Sequence, residues 1–144
     1  MTLKVELKPD ERFILGGCLV TNGPQRIRLL IEGDAPLLRE KDIVTAKQAN
    51  TPAKRIYLAV QLMYTARDPR IYHETYFVLM PELVHAAPSA WPYIVAVNNH
   101  ILAGELYKAL KTIKALIDYE KELIDRATRG TNLRCGFQTD RKSA

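Results

Sequence analysis

The sequence predicts an α+β protein, with a small N-terminal antiparallel β module followed by a C-terminal bundle of about four helices. Three observations carry that prediction. Apolar and charged residues alternate in Leu3-Lys4-Val5-Glu6-Leu7-Lys8 and again in Arg26-Ile27-Arg28-Leu29, the period of half-buried strands. Turn signals punctuate the chain up to residue 50. From Thr51 onward the apolar spacing becomes three and four, and helix-start signals replace turns. With 144 residues, 47% of them apolar and 26% charged, the chain is long enough for one domain with a real core. That composition excludes a disordered chain, a disulfide-stapled miniprotein and a collagen-like repeat.

The β module is read over residues 1–50. Pro9-Asp10 turns the chain after the first strand. Phe13-Ile14-Leu15 and Cys18-Leu19-Val20 are short apolar runs separated by Gly16-Gly17, where a bend or bulge is expected. Thr21-Asn22-Gly23-Pro24 is a turn signal, so residues 18–31 read as a hairpin. Gly33-Asp34-Ala35-Pro36 ends that strand, and Leu37-Leu38-Arg39 begins another short extended piece.

The helical part is read over residues 51–129. Thr51-Pro52 is an N-cap followed by proline at the first helical position, where its missing N–H costs nothing. Ile56, Tyr57, Val60, Met63 and Tyr64 form the apolar stripe of this helix. Asp68-Pro69 repeats the start signal, with Ile71, Tyr72, Phe77 and Leu83 as core candidates and Pro81 expected to kink or split the helix. Ser89 is the expected cap of a third helix and Gly104 its stop. Leu106, Leu110, Ile113, Ile117 and Ile124 line a last helix from 105 to about 128, ~36 Å long at ~1.5 Å per residue. Residues 130–144 read as a disordered basic tail.

Net charge is +5, but its location matters more than its size. The excess is +1 in residues 1–50, +1 in residues 51–120 and +3 in residues 121–144. The expected folded part is close to neutral, so bulk charge permits an anionic partner without indicating one. Cys18 is expected to be a small buried hydrophobe and Cys135 a free thiol. The N-terminus has no continuous apolar stretch of a signal peptide, and no membrane span is visible, so a soluble cytoplasmic protein is expected.

Enzyme chemistry finds no support in the pattern. His73, His85 and His100 have no second ligand at helical spacing, so no metal or other cofactor is expected. Gly16-Gly17 lacks the Lys-Ser/Thr of a phosphate loop, and there is no nucleophile elbow. Binding fares better. Arg26 and Arg28 fall two apart on the hairpin's polar face, with Arg39 and Lys41 close behind. Guanidinium groups so placed can fork onto phosphate oxygens and stack on unpaired bases. The same arginines can instead pair with Glu32, Asp34, Glu40 and Asp42.

Longer runs narrow the choice. Leu3-Lys4-Val5-Glu6-Leu7-Lys8-Pro9, the stretch from Arg28 to Pro36, Arg39-Glu40-Lys41-Asp42-Ile43 and the stretch from Thr51 to Tyr64 closely resemble the FlbT family of flagellin-expression regulators. The likeness returns at Ala87-Pro88-Ser89, Asn98-Asn99-His100-Ile101-Leu102 and Leu106-Tyr107-Lys108-Ala109-Leu110, and covers residues 2–125. Pro81 departs from the family pattern. The resemblance implies a post-transcriptional regulator of flagellum biogenesis that associates with the 5′ untranslated region of flagellin mRNA, represses its translation and promotes its decay. It also implies a link to the flagellar regulator FlaF and to flagellin itself. Some members are activators, so the sign of regulation stays open. Residues 10–43 are also similar to the RNA-binding regulator CsrA. That likeness matches Arg39 to an RNA-contacting arginine and brings in the first strand, hence Lys4. It further implies a homodimer through the β module.

Overall fold

The computed structural model describes residues 2–141, with side chains through residue 129. The chain divides into two compact units between residues 82 and 83. The first contains five strands: β1 Thr2–Leu7, β2 Arg12–Leu15, β3 Cys18–Thr21, β4 Ile27–Glu32 and β5 Leu37–Arg39. Helix α1 spans Pro52–Thr65, and α2 spans His73–Ala86 across the division. The change of secondary structure at residue 50 is where the sequence puts it, but α1 clusters with the strands.

The strands form two small antiparallel sheets, β1-β4 and β3-β2-β5. Val5 and Leu7 pair across the first sheet with Leu29 and Ile27, which sets the alternation's apolar side inward. Val5, Leu7 and Phe13 are buried, and Leu15, Val20, Leu29, Ile31 and Leu37 pack on them to form the core between the sheets. The opposite face of the second sheet carries Ile14 beside the fully buried Leu38.

The hairpin expected over residues 18–31 does not form. β3 pairs with β2 and β4 with β1. Gly16-Gly17 is the two-residue loop of a β2-β3 hairpin, with Leu15 opposite Cys18 and Gly16 at φ +60°. Such a tight loop favours a positive φ at its first central residue, which glycine supplies without strain. Asn22, expected only in a turn, is buried and its amide donates to the carbonyls of Lys8 at 2.7 Å and Gln25 at 2.8 Å. The Asn22 amide thus stitches the β3-β4 connection to the end of β1. Cys18 is exposed rather than buried, because the loop ends the sheet beside it.

Helix α1 begins as the sequence indicates, with the Thr51 hydroxyl accepting from the Lys54 amide at 3.3 Å and Pro52 in first place. Its inward face buries Ala53, Ile56, Tyr57, Val60 and Met63. A polar row at positions 57, 61 and 64 lies along β5 and the segment that follows it. The Tyr57 hydroxyl donates to the Asp42 carbonyl at 2.6 Å, and the Tyr64 hydroxyl to the Leu37 carbonyl at 3.2 Å. Between them the buried Gln61 amide accepts from the Val44 N–H at 2.8 Å and donates to the Val44 carbonyl at 3.1 Å. Three side chains do here what a neighbouring strand would do.

After a 3-10 turn at Pro69–Tyr72, α2 runs unbroken through Pro81. Its buried residues are Tyr76 and Leu83; Ile71 and Phe77, expected in the core, are 65% and 50% exposed. In the second unit, a 3-10 turn at Pro88–Ala90 leads to α3 Trp91–Leu102, and α4 spans Leu106–Arg141. Ser89 does not cap α3; its hydroxyl accepts from Tyr119 at 2.6 Å, while the Tyr93 and Tyr119 rings stack at 5.4 Å. Gly104 ends α3 as expected, at φ +76°, with the Glu105 amide bonding His100 O and the Gly104 amide bonding Ile101 O. These two bonds close a Schellman motif. Helix α4 buries Ala109, Leu110, Ile113 and Leu116, so its inward stripe is rotated from the expected one, and Ile124 is exposed. Its backbone continues helically past Gly130, whereas the tail's side chains, Cys135 among them, lie outside the described residues.

Gln61→Leu leaves a donor and an acceptor of Val44 unpaired and is expected to lower unfolding stability by about 2 kcal/mol in urea titration. Tyr64→Phe, which removes one longer and partly exposed bond, is expected to cost under about 1 kcal/mol.

Candidate nucleic-acid interface

The register of the β1-β4 ribbon places Lys4 opposite Leu30 and Glu6 opposite Arg28, all on the face away from the core. The Arg28 guanidinium reaches across the ribbon to the Glu6 carboxylate at 3.1 Å, and both side chains remain more than half exposed. Arg26 precedes β4 rather than sitting in it, so it is not Arg28's strand neighbour. It nevertheless lines a shallow hollow of about 330 Å³ with Glu6, Ile27 and Arg28. Leu30, 63% exposed, is the apolar element of this face.

Arg39 and Lys41 border a second hollow of about 410 Å³, together with Lys8, Pro9, Asp10, Glu11 and Glu40. The two hollows share a residue as neighbour. Arg39 Nη2 donates to the Glu6 carbonyl at 2.7 Å and to Glu11 Oε2 at 3.2 Å, while the Glu6 side chain holds Arg28. Glu6 therefore joins the two arginines, one through its backbone and one through its carboxylate. Arg39 Nε is buried without a hydrogen-bond partner among the described residues. Arg39 is thus partly an internal strut, with 39% of its side chain still open to solvent.

Pairing sorts the five cations expected to meet RNA. Arg28 and Arg39 each have a carboxylate partner, whereas Lys4, Arg26 and Lys41 have none among the described residues. Of the acids expected to compensate them, Glu40 pairs with Arg12 at 3.4 Å, and the Asp42 side chain is buried. Lys8 joins Lys41 at the second hollow, which strand alternation did not single out. The available signal was the Pro9-Asp10 turn, since β1 ends at Leu7 and Lys8 lines the hollow together with those turn residues.

Glu11 is the electrostatic anchor of the second hollow. Its carboxyl accepts from the Lys8 amide at 2.9 Å, which holds it below the usual carboxylate range. Desolvation opposes this, and the Arg39 guanidinium adds a further lowering. A carboxyl lowered on folding stabilises the fold above its unfolded pKa, and loses that contribution as pH falls through the lowered value.

Among the described residues no group of three His, Cys, Asp or Glu side chains could hold a metal ion. His73 and His85 lie on α2, and His100 Nδ1 is 3.4 Å from Glu105 Oε1 near the end of α3. Among the described residues no helix is long and apolar enough to cross a membrane.

The fold and this surface define a small α+β protein with a cation-bearing β face. The family model "Flagellar protein FlbT" matches residues 3–124, and the chain belongs to the FlbT family. That family is one of regulators, not enzymes. A curated relative from Bradyrhizobium diazoefficiens, "Probable flagellum biosynthesis repressor protein FlbT 1", is 58% identical over 124 residues, covering 85% of each chain. A Rhodopseudomonas palustris "Probable flagellum biosynthesis repressor protein FlbT" is 52% identical over 126 residues, 88% of this chain and 100% of its own. The "Flagellum biosynthesis repressor protein FlbT" of Caulobacter vibrioides is 36% identical over 135 residues, 92% of this chain and 96% of its own. No solved structure matches.

Glu11→Gln is expected to lower stability by about 1 kcal/mol at pH 7, through the weakened Lys8 and Arg39 bonds. The gap to the parent protein should close as pH falls below the ordinary Glu value of about 4.3, which urea titrations at several pH values will check.

Proposed function

We propose that this protein regulates flagellum biosynthesis after transcription. In this reading it associates with the 5′ untranslated region of flagellin mRNA, represses translation and promotes decay of the message. The regulatory role in flagellum biosynthesis is supported by the family and by the names its relatives carry. The RNA reading rests on one observation: Lys4, Arg26 and Lys41 have no carboxylate partner among the described residues, whereas Arg12, Arg28 and Arg39 of the same β module are each paired with a carboxylate. Cations without a protein partner keep their full attraction for phosphate. The two hollows are lined without aromatic rings, so contact would rely on phosphate pairing and guanidinium stacking more than on aromatic stacking.

The purified, nuclease-treated protein is expected to shift a flagellin leader RNA in a gel. For three to five phosphate contacts on a single strand, log affinity should fall against log salt with a slope of about −2 to −3.5. Arg26→Ala and Lys41→Ala should each weaken binding about threefold to tenfold and flatten that slope by about one contact. Arg28→Ala should act in the same direction. An unchanged shift in all three would remove the site from the β module. The competing reading is an adaptor that binds FlaF or flagellin and affects the mRNA only indirectly. Retention of FlaF or flagellin by protein that leaves the leader unshifted would establish it.

A further inference from the structure

On the outer face of the β1-β4 ribbon, Arg28 differs from Lys4 and Arg26 in having an acid beside it. The contact is a single bond, Arg28 Nη2 donating to Glu6 Oε1 at 3.1 Å. Glu6 Oε2 and Arg28 Nε and Nη1 make no hydrogen bond among the described residues. The Arg28 and Glu6 side chains are 69% and 58% exposed, so the pair meets solvent with acceptors and donors to spare. With Arg26 and Ile27 it lines the hollow of about 330 Å³. That size falls at the lower end of the ~300–1,000 Å³ range of small-ligand sites. A carboxylate in such a hollow repels a phosphate and calls for a hydrogen-bond donor.

We propose that the Glu6–Arg28 pair reads a guanine base of single-stranded RNA. This rests on the RNA reading of the β face and names what this hollow takes. Phosphate contacts position a strand but carry no sequence, whereas contacts to base edges do. An ionised carboxylate only accepts, so the base must bring the donors. The Watson–Crick edge of guanine carries two adjacent donors, N1–H and N2–H, next to the O6 acceptor. Cytosine and adenine set one amino donor beside a ring-nitrogen acceptor, and uracil sets one N–H between two carbonyls. Each of these turns a lone pair toward one of the carboxylate oxygens. Guanine instead donates twice to Glu6 and accepts at O6 from Arg28, so the ion pair need not break. A phosphate at Arg28 has to displace Glu6. Lys4 lies two residues before Glu6 in β1, and Arg26 lines the same hollow, both without a carboxylate partner among the described residues. These two cations take the phosphates on either side of the base.

The test compares short oligouridine RNAs of equal length that differ at one central base: guanine, hypoxanthine (inosine) or uracil. All carry the same phosphates, so the electrostatic contribution cancels between them. Inosine keeps N1–H and O6 and lacks only the N2 amino group. Fluorescence anisotropy on the full chain at about 50 mM salt is expected to show the guanine RNA bound about fivefold or more tighter than the inosine RNA. The uracil RNA should bind no better than the inosine one. Glu6→Gln, at an exposed position, should keep the far-UV spectrum and bring the guanine-to-inosine ratio close to one. Its affinity for the inosine RNA should be unchanged or higher, because a negative charge has gone. A role of Glu6 confined to steadying Arg28 would shift all three RNAs together and leave the ratio unmoved. Equal binding of the guanine and inosine RNAs by the parent protein would overturn the guanine assignment while leaving the RNA reading in place. A ratio retained by Glu6→Gln would overturn it as well, moving the base contact to another residue. Absence of binding to all three RNAs would overturn the RNA reading and this assignment with it.

Discussion

The first unit depends on a hydrogen-bonding row that runs along one side of α1. The chain from Leu37 to Val44 has a strand neighbour only over its first three residues, then passes through a 3-10 turn into irregular structure. Its carbonyls at Leu37, Asp42 and Val44, and the Val44 amide, would be left unpaired were it not for Tyr64, Tyr57 and Gln61. A hydrogen bond once made contributes only about 1 kcal/mol net, but a buried group left without one costs about 1–3 kcal/mol. The row therefore matters chiefly by preventing that cost. The same segment carries Arg39 and Lys41, so the groups that fix the backbone also fix two of the candidate cations.

Around those cations the electrostatics are local. The β module is nearly neutral in sum, and charges separated by more than about 8 Å are largely screened at physiological salt. What remains is which cation is paired with what. Arg28 and Arg39 are tied to Glu6 and Glu11, and Arg12 to Glu40. Lys4, Arg26 and Lys41 are left with their charge unspent. Exposed ion pairs such as Arg28–Glu6 contribute roughly 0–1 kcal/mol to stability. A phosphate can therefore displace the Glu6 carboxylate from Arg28 at small cost, while Arg39 also holds a backbone carbonyl and exchanges less readily.

Much of this architecture was legible in the sequence where one local signal decided the outcome. Thr51-Pro52 capped α1, Gly104 ended α3, and the alternation at Leu3–Leu7 placed Val5 and Leu7 inside. Pairing was harder, because two turn signals competed. Gly16-Gly17 and Asn22-Gly23 both look like hairpin loops, and the choice went to the glycine pair because the Asn22 side chain was needed to bind the carbonyls around it. The α2 face was misread for a different reason: the helix is apolar on several sides, and spacing alone could not tell the buried Tyr76 from the exposed Phe77 beside it. Of the candidate site, which residues carry charge was legible and which of those charges pair was not. Glu6, a charged residue on a strand's polar face, gave no sign that it would join Arg28 to Arg39.

The most direct test of the central claim, that the β face is the RNA-binding surface, is amide hydrogen exchange on the full chain with and without a flagellin leader RNA. The account predicts slowed exchange in the segments around Lys4, Arg26–Arg28 and Arg39–Lys41, with α3 unaffected by RNA. Unchanged exchange in all three segments at saturating RNA, or protection confined to residues 83–102, would contradict it.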